Sequence, residues 1–174
     1  MDDLKDFKIS FSGLELGHHS FEFQIDDKFF NSFESSRIQE GKLQVNIDLL
    51  KQETMLQLDF KIKGEVLLDC DRCLDRFLFP IETTELLLVR FGQETHEESE
   101  SILIIGEKEY QVDVSQYIYE YISLSIPIKV VHPDLENGES GCNQEFLKNF
   151  DLIETNDKEE VDPRWDALKK LIKE

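Results

Sequence analysis

The densest run of chemically capable residues is Asp69-Cys70-Asp71-Arg72-Cys73-Leu74-Asp75-Arg76. Two thiols separated by two residues can both turn toward one metal ion. A structural zinc ion takes four protein ligands in a tetrahedron, drawn mostly from Cys and His. Cys142 is the third thiol of the chain and His132 the obvious fourth donor. Cys70, Cys73, His132 and Cys142 are therefore a candidate zinc set of three thiolates and one imidazole. The separation of His132 from Cys142 exceeds that of a zinc finger, and the competing reading is three reduced thiols with no metal. A redox role for Cys70 and Cys73 ranks below both. No strand–helix–strand pattern surrounds the pair, and Asp69, Asp71 and Asp75 should raise a thiol pKa, with Arg72 and Arg76 opposing in part.

Those two arginines are also candidate contacts to RNA or a partner, together with Lys169 and Lys170, because the chain has few cations to spare. Local ion pairing with Asp71 and Asp75 is the simpler use of the arginines. Nothing else suggests catalysis. There is no glycine-rich phosphate loop, nucleophile elbow or paired-histidine helix. His18 and His19 read as turn residues and His96 as part of an acidic loop. We expect no catalytic residues and no enzyme.

Positioning these residues falls to a chain of 174 residues, enough for one buried core and read as a single domain over 1–174. Lys and Arg total 19 against 38 Asp and Glu, a formal charge of -19. Such a surface repels phosphate backbones and attracts basic proteins. The 13 Phe lack polar tips and suit a core better than base stacking. No run approaches the roughly 20 apolar residues that span a bilayer. The acidic start, Met1-Asp2-Asp3, is unlike a signal peptide. With an odd number of cysteines, a reducing cytoplasm is the expected compartment.

Alternation marks the strands. Phe7, Ile9 and Phe11 share one face of the first; Phe21, Phe23 and Ile25 share one of the second. Gly13 to Gly17 is a turn, and Asp26 can cap a short helix. Arg37 to Asp48 and Met55 to Lys63 read as strands, with Gly64 a candidate bulge. Leu78 to Phe91 is β-rich but broken by Pro80 and by Glu82 to Glu85. Residues 93–101 form an acidic loop, and Gly106 suggests a hairpin between Ile102–Ile105 and Tyr110–Val112. Asp113 should cap a helix ended by Pro127. Asp134 to Gly141 is a polar loop, Asn143 to Phe150 a short helix, and 154–160 an acidic mobile segment. A final helix starts at Asp162-Pro163. The expected class is α+β, with a mostly antiparallel, barrel-like or strongly bent sheet and a few short helices.

Cys70-Asp71-Arg72-Cys73-Leu74 resembles the Cys-x-Arg-Cys-Leu signature of the YceD family. The helix running into Leu124-Ser125-Ile126-Pro127, the loop with His132-Pro133 and Cys142, and Asp162-Pro163-Arg164-Trp165 before Leu168-Lys169-Lys170-Leu171 are similar to that family's order. The resemblance runs from about Gly64 onward; the first third fits only in strand character. It implies a non-enzymatic role in large-subunit ribosomal RNA accumulation, with that RNA or a basic ribosomal protein as partner. It implies neither membrane nor small-molecule substrate. Many family members carry a second cysteine pair in the late loop, where this chain has Cys142 alone, which leaves the mixed site with His132.

Overall fold

The structure, a computed structural model, describes residues 4–34, 36–135 and 138–154, with side chains as far as 149. The acidic segment beyond Glu154 and the tail with Lys169 and Lys170 lie outside them. The chain divides into two compact units. The first holds residues up to Asp69 and Arg76–Val130; the second holds Cys70–Asp75 and the chain from Val131 onward.

The first unit is built on strands β1 (Lys8–Ser10), β2 (Gly17–Ile25), β3 (Gly41–Lys51), β4 (Met55–Asp69), β5 (Arg76–Gly92), β6 (His96–Ser99), β7 (Ile102–Gly106) and β8 (Gln111–Asp113). Six of them form one sheet in the order β2-β3-β4-β5-β7-β6, while β1 pairs only with β8. Helices α1 (Asp27–Asn31) and α2 (Ser115–Ser125) complete the unit. The pairing is antiparallel except between β5 and β7. The class is α+β, as expected, but the sheet is open rather than a closed barrel. Closure needs two edges matched in length and register. Here β2 has nine residues, whereas β6 has four and a register shift between Glu97 and Ser99.

Alternation explains the core. Leu43, Val45, Ile47 and Leu49 of β3 and Leu56, Leu58, Phe60 and Ile62 of β4 are all buried, with their odd-numbered or even-numbered neighbours turned outward. From α2, Tyr117, Ile118, Tyr121 and Ile122 join the same cluster. Asp26 caps α1 as expected, accepting from the Lys28 and Phe29 amides at 3.0 and 3.4 Å. Asp113 instead accepts from the amide and hydroxyl of Ser115, so the cap sits one residue outside the helix. Gln116 turns to Glu120 at 2.6 Å rather than back to the cap.

Several expectations give way. Gly64 is no bulge, since β4 runs unbroken across it. Pro80 and the polar residues do not break β5, which spans 17 residues. Pro80 faces Glu65 of β4, and β7 pairs with β5 only from Leu88 onward, so the missing amide costs no ladder bond on that side. β7 and β8 do not form a hairpin: they pair with different strands. His18 and His19 belong to β2 rather than a turn, and residues 93–101 hold the fully exposed strand β6. No helix among the described residues is long and apolar enough to cross a membrane.

The Tyr121 hydroxyl is buried with no hydrogen-bond partner among the described residues. An unsatisfied buried polar atom costs about 1–3 kcal/mol. Tyr121→Phe keeps the ring on Phe60, 5.2 Å away edge-on, and removes that cost. We expect stabilisation by about 1 kcal/mol, read from the guanidinium midpoint at neutral pH. A lower midpoint would contradict it. Burial, then Glu85 and Glu120, push this phenol up to about 12. Its folded pKa lies above the ordinary value of about 10, so its contribution is complete below pH 10 and lost as pH rises through 12. The Phe variant should lose that alkaline step.

Candidate metal centre

The loop Cys70–Asp75 closes as a tight turn. The Leu74 amide donates to the Cys70 carbonyl at 2.9 Å, and the Cys70 amide to the Asp75 carbonyl at 3.0 Å. The turn requires Leu74 in the left-handed region, φ 63°, although its side chain is largely exposed. Inside it the Arg72 amide donates to Cys70 Sγ at 3.4 Å.

The other half comes from 131 onward. His132 precedes a proline, which favours extended backbone. The loop then folds back: Asp134 bridges Ser140, and the Leu135 amide donates to the Glu139 carbonyl at 2.7 Å. Gly141 packs so tightly here that a Cβ would collide with the Pro133 carbonyl oxygen. This close approach brings Cys142 beside His132. Asn143 then caps α3 (Gln144–Glu154), accepting from the Glu145 and Phe146 amides at 3.0 and 3.2 Å. Its amide group donates to Asp75 at 2.9 Å, and Arg72 reaches Ser140 at 3.3 Å, so both halves of this unit are tied together around the thiols.

The result gathers all four candidate ligands. One donor atom from each of Cys70, Cys73, His132 and Cys142 lies within 4.8 Å of the others. Cys70 Sγ is 3.8 Å from Cys142 Sγ, and Cys73 Sγ is 3.4 Å from His132 Nδ1. Zinc–sulfur bonds of about 2.3 Å and zinc–nitrogen bonds of about 2.0 Å at tetrahedral angles separate sulfurs by about 3.8 Å and sulfur from nitrogen by about 3.5 Å. The Cys70–Cys142 and Cys73–His132 pairs stand near those separations, and three thiols with one imidazole are a donor set that fits the ion.

Charge points the same way. Burial opposes ionisation of Cys70, but the amides of Arg72, Cys73 and His132, with the His132 side chain, outweigh it and bring the thiol down to about 6. The rise expected from acidic neighbours does not appear at Cys70, where hydrogen bonds to the sulfur outweigh burial. Burial pushes the Cys73 thiol up, and Cys70 and Cys142 add to that against the amides of Asn143 and Asp75. Three sulfurs this close resist joint ionisation unless a cation lies among them.

Burial separates this unit from the first. The only buried residues of the second unit, among those described, are Cys70, Cys73 and Cys142, at 0%, 1% and 5% exposure. The hydrophobic core cluster draws no residue from it. Among its described residues the unit shows no apolar cluster, and a metal ion would staple them together.

Of the other candidates, Arg76 forms ion pairs with Glu40 and Asp69 rather than with Asp75. Sequence reasoning missed Ser140, Gly141 and Asn143. A glycine directly before a cysteine was the signal available for the second of these.

The family model described as "Large ribosomal RNA subunit accumulation protein YceD" matches residues 58–172. The chain belongs to the YceD family. The span matched to the YceD model contains all four donors and leaves out β1, β2 and β3. A relative, "Uncharacterized protein YlbN" of Bacillus subtilis (strain 168), is 31% identical over 120 residues, 68% of this chain and 67% of its own. No solved structure matches.

Gly141→Ala should weaken zinc binding roughly 10- to 100-fold, the range for changes just behind the ligands. Titration against a chelator of known affinity reads this directly. Unchanged affinity would mean that the Pro133 contact does not set the position of Cys142.

Proposed function

We propose that this chain is a non-enzymatic factor in the accumulation of large-subunit ribosomal RNA. It acts through contact with a basic ribosomal protein, and Cys70, Cys73, His132 and Cys142 hold a structural zinc ion. Family membership supports the ribosomal role. The zinc reading rests on one observation: the second unit buries its three cysteines and nothing else among the described residues. Four protein donors leave no open coordination position, which is the pattern of a structural rather than a catalytic site. When bound, zinc would cross-link the Cys70–Cys73 turn to His132 and Cys142.

A strain depleted of the protein should show a falling ratio of large- to small-subunit ribosomal RNA. The purified protein should retain basic large-subunit proteins in a pull-down that weakens steeply with salt, since the attraction is between opposite surface charges. A normal RNA ratio on depletion, or retention indifferent to salt, would overturn the reading.

Direct RNA contact through Arg72 and Arg76 is a weaker reading. Arg76 already has two carboxylate partners, and the net charge is strongly negative. Loss of a precursor-RNA gel shift in an Arg72→Glu, Arg76→Glu protein would favour it. A thiol oxidoreductase using Cys70 and Cys73 is disfavoured by burial of both sulfurs, because exchange needs a partner to reach one of them.

A further inference from the structure

The two edges of the six-stranded sheet are treated differently. β6 is short, carries Glu97 and Glu98 and contains a register shift, the usual features that keep an edge from pairing. β2 is nine residues long, pairs with β3 in unbroken register and has no lysine, proline or bulge; Glu22 is its one formally charged residue. Among the described residues no strand pairs with its outer side, whose backbone donors and acceptors are those of a sheet edge.

A groove of about 480 Å³ lies along this strand. Asp6, Glu22 and Asp26 line it together with Phe23, and the buried Phe7 and Phe29 form its floor toward the core. Phe7 and Phe23 stack with centroids 5.4 Å apart, and Lys28 is the one cation in the lining. Three carboxylates lining one groove suit a Lys or Arg side chain. A second groove of about 510 Å³ shares Gln24 and Asp26 with the first, and continues over Leu67 and Leu78 beside Glu40 and Glu65. Leu78 is 58% exposed there.

We infer that the outer edge of β2 accepts an extended basic segment of a partner protein as an added strand. Its backbone completes the ladder, and its cationic side chains enter the groove at Asp6, Glu22 and Asp26. This rests on the proposed contact with a basic ribosomal protein and names its surface. A second copy of this chain is the less suitable occupant, since two chains of charge -19 repel.

The test uses the full chain and a capped nonapeptide of alternating Lys and Val. Amide hydrogen exchange by NMR should show about half of the β2 amides slowed roughly tenfold or more at saturation. The same peptide N-methylated at alternate residues carries equal charge but cannot complete a ladder, and should bind about tenfold more weakly or worse. Asp6→Lys with Glu22→Lys, both away from the core, should weaken the parent peptide comparably. Equal binding of the N-methylated peptide, or slowed exchange elsewhere, would overturn the inference. So would a dimer that protects the same amides without peptide. Salt-sensitive retention of ribosomal proteins by a chain that fails this test would leave the assembly reading standing. Peptide binding at β2 with a normal RNA ratio on depletion would sink the assembly reading alone.

Discussion

Cys142→Ser is expected to weaken zinc binding by a hundredfold or more, roughly the loss of a direct ligand where structural zinc contributes about 10–16 kcal/mol. A serine hydroxyl does not ionise near neutral pH, so the cation would lose one of three anionic partners. The sulfur removed stands 3.8 Å from Cys70 Sγ, and the cluster has no spare donor of the same kind. Because the second unit buries only its cysteines among the described residues, we expect its amides to lose exchange protection together. The first unit has its own core and should melt as in the parent. Metal content by mass spectrometry, with exchange measured on parent, variant and chelator-treated parent, separates the possibilities. One zinc per chain in the parent, lost in both other samples, is the expected result. A parent purified without zinc, and unable to take it up, would return the three sulfurs to plain buried thiols.

Gly64→Ala should strongly destabilise the first unit. Gly64 sits within β4 opposite Leu43 of β3 and Ile81 of β5, at φ +155°. An added Cβ would fall on the Lys42 carbonyl oxygen and 2.6 Å from Leu43 Cα, both backbone atoms that no rotamer change can move. Backbone strain of about 1–3 kcal/mol and overpacking of similar size together predict a loss of about 3 kcal/mol or more. Gly13→Ala, where a Cβ meets nothing within 4 Å, is the reference and should change stability by under about 0.5 kcal/mol. Urea denaturation with an unchanged slope reads both. A Gly64→Ala protein within 1 kcal/mol of the parent would show that the strands separate there at little cost.

Legibility followed the range of the forces involved. Strands with one wet face announce themselves by alternation, so β2, β3 and β4 were readable from residues such as Phe21, Val45 and Leu58. The Asp26 cap was readable because it is a contact over two or three residues. β5 looked broken at Pro80 because sequence does not reveal that β7 pairs elsewhere along that strand. The same blindness to partner choice made β7 and β8 look like a hairpin. At the candidate metal centre, ligand chemistry singled out the four residues that the fold gathers. The contacts that bring them together were hidden, because Gly141 on Pro133 and Asn143 on Asp75 depend on close approach between distant segments. Leu74 gave no hint of a left-handed backbone, a conformation that sequence normally flags with glycine.

The pairing of β1 with β8 sets an order of events during synthesis. Strands β2 to β5 are consecutive antiparallel neighbours, so each can dock as soon as it emerges. β1 cannot, because Lys8 is opposite Asp113 and Ile9 opposite Val112, about a hundred residues later. At about 5–20 residues per second, the first strand waits on the order of 5–20 s for its partner to be made. Throughout that interval β1 has no strand to pair with, and Ile9, which ends buried beside β8, is left to any chaperone near the exit tunnel.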